Sequence, residues 1–163
     1  MTTSKKSETL VSIIINNYNY GRFLGKAIDS ALKQTYAYTE IVVVDDGSTD
    51  NSRKVIASYG NQIIPVFKQN GGQGSAFNAG FKICNGDAIC FLDSDDFFYP
   101  SKVEECLKLL TENTVNNPLV MVYHFLKVVD ENGFSLNWQK PLAHVYNYSS
   151  PNLYEYAYNY RYL

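Results

Sequence analysis

The stretch that decides the fold is Ala-Ile-Cys-Phe-Leu-Asp-Ser-Asp-Asp-Phe-Phe-Tyr-Pro, residues 88 to 100. It opens with an unbroken apolar run, typical of a strand buried on both faces, and continues into the carboxylates Asp93, Asp95 and Asp96. Like charges beside a low-dielectric core are costly, and a hard divalent cation with oxygen ligands removes that cost. The stretch therefore predicts a metal site at Asp93 and Asp95, next to a phosphate-bearing ligand. The alternative is that these acids only form a turn and cap the next helix.

The surrounding sequence places this strand in a parallel sheet. Apolar runs at 10–15, 40–44 and 63–67 predict three earlier strands, and segments with helical spacing of apolar residues separate all of them. Strands that alternate with helices through short connections are typical of an α/β fold. We therefore predict a Rossmann-like, doubly wound and mostly parallel sheet with helices on both faces.

Polar segments follow each predicted strand. They span residues 16–20, 45–50, 70–74 and 93–96 and are rich in Asn, Asp, Ser and Gly. Right-handed crossovers bring the carboxyl ends of parallel strands to one edge of the sheet, where open α/β sheets bind their ligands. The polar segments are therefore expected to form one site.

The composition restricts the kind of partner. The chain has 163 residues, 45% of them hydrophobic and 18% charged, which is ordinary for a folded protein. A formal net charge of -2 offers no basic surface for a nucleic-acid polymer. Three cysteines without metal-type spacing indicate free thiols in a reducing compartment. No apolar run is long enough for a membrane span or a signal-peptide core, so the expected location is the cytoplasm.

Motifs in the polar segments occur in a recognisable order. They are 11–15 followed by Tyr18-Asn19, then 41–50, then Asn70-Gly71-Gly72 with Asn78-Ala79-Gly80, and finally 91–96 with Pro100. In this order they resemble the family 2 glycosyltransferases, which have the GT-A fold. One such motif would be weak support, whereas the full set in register is strong support.

The resemblance implies a sugar-nucleotide donor, built on UDP, GDP or dTDP, and a divalent metal cofactor, Mn²⁺ or Mg²⁺. It implies that Tyr18 lies against the base, that Asp46 accepts a hydrogen bond from the base, and that Asp93 and Asp95 serve the ribose, the metal and the diphosphate. An aromatic face suits a planar base, and a carboxylate accepts hydrogen bonds from ring N–H groups. The further nucleotide-sugar-binding residues that it implies are Asn16, Asn19, Gly72 and Ser94.

Several residues of these motifs also have a purely structural explanation. Tyr18 can simply pack over the sheet edge, and the glycines within 71–74 can serve only to allow positive φ. We expect Asp45 to brace the neighbouring loop rather than touch a ligand, and Asp50 to cap a helix.

Two positions depart from the family's usual pattern, which has proline where Asn16 stands and commonly arginine where Phe77 stands. Losing the arginine removes a contact to the donor or to the acidic segment. In inverting members a later Asp or Glu acts as the catalytic base, which is expected here beyond Leu163. The predicted organisation is a disordered N-terminus (1–9), a nucleotide-sugar-binding α/β domain (10–117) and the truncated start of an acceptor-side half (118–163).

The sequence therefore predicts the donor-binding part of a metal-dependent, inverting glycosyltransferase that acts on a saccharide or lipid-linked acceptor in polysaccharide or glycan synthesis. A sugar-phosphate nucleotidyltransferase and a non-catalytic nucleotide-sugar-binding protein stay open as alternatives. A receiver domain is disfavoured, because residues 67–70 after the third strand contain no phosphoacceptor aspartate. Peripheral association with the inner face of the membrane, and a homodimer formed through the tyrosine-rich tail, also stay open.

Overall fold

The computed structural model describes residues 9–112, 121–122, 130 and 145–146. The chain divides into two compact units, Met1–Glu105 and Cys106–Leu163. The expected disorder of residues 1–9 falls almost wholly outside the described residues, and so does most of the predicted acceptor-side segment 118–163. Both stay predictions.

The first unit alternates strands with helices, as predicted. The elements in chain order are β1 (Val11–Asn17), α1 (Gly21–Leu32), β2 (Thr39–Asp45), α2 (Ser52–Ser58), a short 3-10 helix (Gly60–Gln62), β3 (Ile64–Phe67), α3 (Gln73–Phe81), β4 (Ala88–Asp93) and α4 (Lys102–Glu112), which begins in this unit. The second unit contains a short antiparallel pair, β5 (Met121–Val122) with β6 (Val145–Tyr146).

The strands of the first unit form one parallel sheet in the order β3-β2-β1-β4. Ile15 pairs with Val43 of β2 and with Leu92 of β4, so β1 lies between two parallel neighbours. Parallel neighbours need crossover connections, and the helices between the strands supply them. The predicted doubly wound α/β fold is confirmed.

Helices pack against both faces of the central strands. On one face Ile14 lies against Ala76 of α3, and Gly80 brings the α3 backbone so close that an added Cβ would lie 2.6 Å from Ile14 Cγ2. Because side chains alternate along a strand, Ile13 and Ile15 point to the opposite face, where α1 packs with its buried apolar stripe. Each fully buried isoleucine contributes about 1.5–3 kcal/mol to the stability of this core.

Strands β1, β2 and β4 extend further into the polar segments than the sequence predicts. Asn16 and Asn17 belong to β1, Asp45 belongs to β2 and Asp93 belongs to β4. Asn16 pairs with residues of both neighbouring strands, and this pairing outweighs the low β-propensity of Asn and Asp. The polar side chains at this edge are therefore held by the sheet itself.

The prediction that β4 is buried on both faces is wrong. Within this strand only Leu92 is buried, whereas Phe91 is 54% exposed. The Phe91 ring packs edge-on against Phe77 of α3, with ring centroids 4.7 Å apart. In the sheet that the described residues form, β4 is an outer strand, so it is less covered than β1.

Candidate functional site

A cleft of about 360 Å³ opens at the carboxyl edge of the sheet. The structure brings the polar segments together there as expected, and each of them contributes to its walls. The predicted site residues that line the cleft are Asn16, Tyr18, Asp46, Gly72, Asp93, Ser94 and Asp95. The lining residues that were not predicted as site residues are Asn17, Tyr20, Asn70, Gln73 and Ala76.

Asp46, directly after β2, is almost fully enclosed, with 3% of its surface exposed. Its Oδ1 accepts a hydrogen bond from Lys68 Nζ, and its Oδ2 accepts one from Gly72 N at 2.8 Å. Gly71 N donates a bifurcated hydrogen bond to Oδ1 and Oδ2 of Asp46, at 3.1 Å from each. Gly72 adopts φ 83°, which favours glycine. Asp46 therefore holds the glycine-rich loop in place at the start of α3.

The environment of Asp46 keeps it ionised. Burial by itself raises the pKa of Asp46, because it penalises the charged form. Hydrogen bonds from Lys68, Gly71 and Gly72 favour the charged form more strongly, so that the pKa lies below its ordinary value of 3.8. Asp46 is thus an anion at neutral pH, with the Lys68 ammonium group as its counter-charge.

Two tyrosines flank the cleft after β1. Tyr18 is 47% exposed and Tyr20 is 43% exposed, so both rings offer an apolar face to a ligand. Between them Asn19 adopts φ 57°, its Oδ1 accepts a hydrogen bond from Thr49 N at 2.8 Å, and its N donates to Ser48 Oγ at 2.9 Å. Asn19 therefore fastens the tyrosine loop to the loop after β2 and does not line the cleft. Its predicted contact with the donor stays a prediction.

Asp45 braces the scaffold beneath the cleft, as expected. It is fully buried, and its Oδ1 accepts a hydrogen bond from Asn17 Nδ2 at 3.1 Å. Its Oδ2 lies 3.5 Å from Arg53 Nε. The same Asn17 nitrogen also lies 3.1 Å from Ser48 Oγ, so the ends of β1 and β2 are tied together from within.

Asp50 joins the starts of two helices. Its carboxylate accepts hydrogen bonds from Gly21 N, at the first residue of α1, and from Ser52 N, at the first residue of α2, both at 2.9 Å. A Cβ at Gly21 would lie 2.8 Å from Ser52 N, so the two helices approach each other closely only with glycine there. Asp50 is not itself an N-cap residue, since Tyr20 precedes α1 and Asn51 precedes α2, but its carboxylate caps the first N–H group of both helices.

Three carboxylates gather in the turn after β4. Asp96 N donates to Asp93 O at 3.0 Å, which folds Asp93, Asp95 and Asp96 into one tight turn. Burial, together with the charges of Asp95 and Asp93, raises the pKa of Asp96. The carboxylates of this acidic turn (residues 93–96) therefore repel one another.

The donor atoms of the acidic turn fit a hard divalent cation that also binds a ligand's phosphate oxygens. The turn offers carboxylate oxygens, which Mg²⁺ and Mn²⁺ prefer. Within the described ranges, no three His, Cys, Asp or Glu side chains are grouped so as to hold a metal by themselves. Sites built from one or two carboxylates plus substrate phosphates are common for Mg²⁺, and the acidic turn suits a site of that kind.

Comparison with known proteins shows the family of this chain. The sequence profile described as Glycosyl transferase family 2 matches residues 12–160. The chain belongs to glycosyl transferase family 2. This membership confirms the resemblance on which the sequence prediction rested, and the matched range includes every polar segment that lines the cleft.

Relatives of this family 2 chain are longer proteins with transferase or synthase names. An uncharacterized glycosyltransferase of Nostoc sp. is 47% identical over 126 residues, which are 75% of this chain and 38% of that protein. The chondroitin synthase of Pasteurella multocida is 41% identical over 127 residues, which are 76% of this chain and 13% of the synthase. The chain thus spans less than half the length of these relatives.

Solved glycosyltransferases have the same fold as the family 2 chain. TarS of S. aureus in complex with UDP-GlcNAc matches with a TM-score of 0.57 and 29% identity, over 63% of this chain and 31% of that chain. The mannosyltransferase PcManGT of Pyrobaculum calidifontis, solved with GDP-Man and Mn²⁺, matches with a TM-score of 0.60 and 21% identity, over 76% of this chain and 37% of that chain. The sheet and helices are therefore those of the GT-A fold.

Two polar residues that contact carboxylates of the cleft were missed by sequence reasoning. Gln73 Nε2 donates to Asp93 Oδ1 at 2.8 Å, and Lys68 Nζ donates to Asp46. Gln73 is 20 residues away in sequence from Asp93, and Lys68 is 22 residues away from Asp46. The available signal was their position on either side of the glycine-rich loop, where donors can reach the acidic ends of neighbouring strands.

Proposed function

We propose that the cleft binds the nucleoside diphosphate part of a sugar-nucleotide donor, and that the chain serves glycosyl transfer to an acceptor hydroxyl. The observation that carries this proposal is one cleft in a family 2 chain that combines exposed Tyr18, anionic Asp46 and the acidic turn. The Tyr18 ring suits a nucleotide base, the Asp46 carboxylate suits the polar edge of that base, and the acidic turn suits a metal-bound diphosphate. The UDP-GlcNAc complex of TarS supports a donor of this class.

The base is proposed to lie at the Tyr18 side of the cleft. The exposed ring offers a stacking face, and the Asp46 carboxylate can accept a hydrogen bond from a ring N–H group. The bifurcated hydrogen bond from Gly71, at 3.1 Å to each oxygen, is the longest that Asp46 accepts, and we propose that a base N–H replaces it. The other proposed contacts in the cleft are Asn16, Gly72 and Ser94.

Asp93 and Asp95 are proposed to hold the divalent metal, Mn²⁺ or Mg²⁺, and Asp93 also to serve the ribose. When bound, the cation offsets the negative charge that builds up on the diphosphate as its bond to the sugar breaks. The grouping of Asp93, Asp95 and Asp96 in one tight turn at the cleft supports this assignment. The side chains themselves supply oxygen ligands and set the position of the diphosphate.

The reaction is proposed to invert the configuration of the sugar. The acceptor oxygen forms a bond to the anomeric carbon while the bond from that carbon to the diphosphate oxygen breaks, and the hydroxyl proton passes to a base. None of the described residues is assigned as that base. The chondroitin and hyaluronan synthases of Pasteurella multocida among the relatives favour a saccharide or lipid-linked acceptor in polysaccharide or glycan synthesis.

Calorimetric titration tests the donor site. UDP, GDP and dTDP are added to the wild-type chain with and without Mn²⁺, and to Asp95→Ala and Asp87→Ala. Asp87 is the matched control, because it precedes the amino end of β4 and binds Leu10 N. We expect one nucleotide to bind saturably, to need Mn²⁺, to lose binding in Asp95→Ala and to keep it in Asp87→Ala. Nucleotide binding that is equally tight without Mn²⁺ and in Asp95→Ala would contradict the proposal.

A parallel assay separates transfer from the alternative chemistry. Release of pyrophosphate from a nucleoside triphosphate plus a sugar phosphate would show a nucleotidyltransferase instead.

Among the described residues, no helix is both long enough and apolar enough to cross a bilayer. The cytoplasmic location, the association with the membrane surface and the homodimer stay predictions from the sequence.

A further inference from the structure

Two amide side chains converge on one oxygen of Asp93. Gln73 Nε2 donates to Asp93 Oδ1 at 2.8 Å. One end of the Asn16 amide faces two acceptors, at 2.8 Å from Asp93 Oδ1 and 3.2 Å from Leu92 O, and we assign the nitrogen to that end because only the nitrogen can donate to both. Asn16 and Asp93 are also partners in the pairing of β1 with β4. Asp93 Oδ1 is therefore fixed from α3 and from β1 at once.

The other oxygen of Asp93 is left for a ligand. None of the described residues donates a hydrogen bond to Asp93 Oδ2, although Asp93 lines the cleft. Without these donors the Asp93 side chain could adopt several rotamers. Two donors on Oδ1 select one orientation before any ligand arrives, which reduces the ordering cost of binding.

The same short segment also connects Asp93 to the other acidic end of the cleft. Gln73 is the first residue of α3, and the preceding Gly72 donates its N–H to Asp46. Residues 72 and 73 thus reach the carboxyl ends of β2 and β4 from between them. The segment thus contacts the carboxylates of both Asp46 and Asp93.

We propose that Gln73 and Asn16 are positioning residues, which hold Asp93 Oδ1 so that Asp93 Oδ2 is presented to the donor nucleotide. This inference rests on the proposed function of the cleft. Neither residue needs to touch the nucleotide for this role. The effect of Gln73, which is not among the proposed contacts of the donor, must then pass through Asp93.

A double-mutant cycle on nucleotide affinity tests this dependence. The probe is whichever of UDP, GDP and dTDP binds the wild-type chain most tightly with Mn²⁺. Loss of one hydrogen bond to a charged group should weaken binding about fivefold or more in Gln73→Leu. Gln73→Glu should weaken it further, since it places a carboxylate against Asp93. Gln62→Leu, the same change at an exposed glutamine of the 3-10 helix, should leave the Kd unchanged.

In the Asp93→Ala background, Gln73→Leu should change the Kd by less than about twofold, since its effect passes through Asp93. Asn16→Ala should lose only part of its effect in that background, because Asn16 is also a proposed contact of the donor. If Gln73→Leu weakens nucleotide binding equally in the wild-type and Asp93→Ala backgrounds, the role of Gln73 is merely structural and the proposal is overturned. An unchanged Kd in Gln73→Leu would also overturn it.

A ligand-free measurement separates this inference from the proposed function. In crystals of the nucleotide-free proteins, Asp93 should hold one side-chain rotamer in the wild type and several in Gln73→Leu. One rotamer in both proteins would overturn the positioning role, whatever the nucleotide affinity. If the rotamer is released in Gln73→Leu but no nucleotide binds the wild type, the proposed function fails, and with it the assignment of the presented oxygen to a nucleotide.

Discussion

Gly72 N lies 2.8 Å from Asp46 Oδ2, so the residue before α3 is tied to the carboxyl end of β2. Lys68 neutralises the same carboxylate from the end of β3. A charge therefore holds the glycine-rich loop, and the shape of the cleft should depend on the protonation of Asp46.

Replacing Lys68 with Met should raise the pH at which nucleotide affinity begins to fall on acidification. Burial raises the pKa of Asp46 while Lys68 and the two glycines lower it, so removal of Lys68 moves the pKa upward. A carboxyl group with a lowered folded pKa stabilises the fold above its unfolded pKa, and this contribution is lost as the pH falls through the folded pKa. The Kd for the nucleotide, measured as the pH is lowered from neutrality, should rise at a higher pH in Lys68→Met than in wild type. Lys68→Arg should resemble the wild type, and identical pH profiles in all three proteins would argue against this role.

Replacing Asp50 with Ala should destabilise the first unit, because the starts of α1 and α2 both lose a hydrogen-bond acceptor. The loss of such a cap should lower the free energy of unfolding by about 1–2 kcal/mol. Urea unfolding measures this quantity, and Asp50→Asn, which keeps one acceptor oxygen, should lose less. A midpoint of unfolding that does not move in Asp50→Ala would show that the shared cap is unimportant.

Two glycines of α3 should respond to alanine in opposite directions. A Cβ at Gly80 would lie 2.6 Å from Ile14 Cγ2 and 3.1 Å from Val44 Cγ2, so Gly80→Ala should lower the free energy of unfolding by about 1–3 kcal/mol through overpacking. A Cβ at Gly74 meets nothing within 4 Å, so Gly74→Ala should raise it by up to about 1 kcal/mol through helix propensity. Thermal unfolding of the two variants provides the comparison. Equal shifts would contradict the close approach of α3 to the sheet.

Tyr59 should make the protein less stable in alkaline solution. Its Oη lies 2.9 Å from Gly25 O and from Asp29 Oδ1, and burial, with the hydrogen bond and charge of Asp29, raises the pKa of Tyr59 to about 12. Its stabilising contribution is complete below the ordinary pKa of 10.0 and is lost as the pH rises from there towards about 12. The unfolding free energy of the wild type should fall over this window. Tyr59→Phe should be less stable at neutral pH and should show a smaller alkaline decline, and a parallel decline in both proteins would contradict the assignment.

The parallel sheet and the convergence of its polar ends were predictable from the sequence, because both follow from apolar periodicity and the handedness of crossovers. The strand boundaries were less predictable. Asn16 and Asn17 have low strand propensity, yet β1 holds them by pairing with its neighbours. The exposure of Phe91 depends on which strand lies at the edge of the described sheet, and an apolar run carries no information about sheet order.

The side-chain pairings across the cleft could not be predicted from the sequence. The contacts of Lys68 with Asp46 and of Gln73 with Asp93 depend on rotamers and on the separation between the ends of different strands. The sequence identified the acidic partners of both pairs because acids at strand ends are conspicuous. Their amide and ammonium partners look like ordinary surface residues until the backbone brings them together.

An amide-resolved NMR titration tests the donor site most directly. UDP, GDP and dTDP are added with Mg²⁺ to ¹⁵N-labelled protein, and Mn²⁺ is then added to broaden the amides near the metal. Shifts should concentrate on Tyr18, Gly71 and Gly72, and Mn²⁺ should broaden the acidic turn first. Shifts outside the cleft, or broadening that is equally strong in Asp95→Ala, would contradict the assignment of this cleft as the donor site.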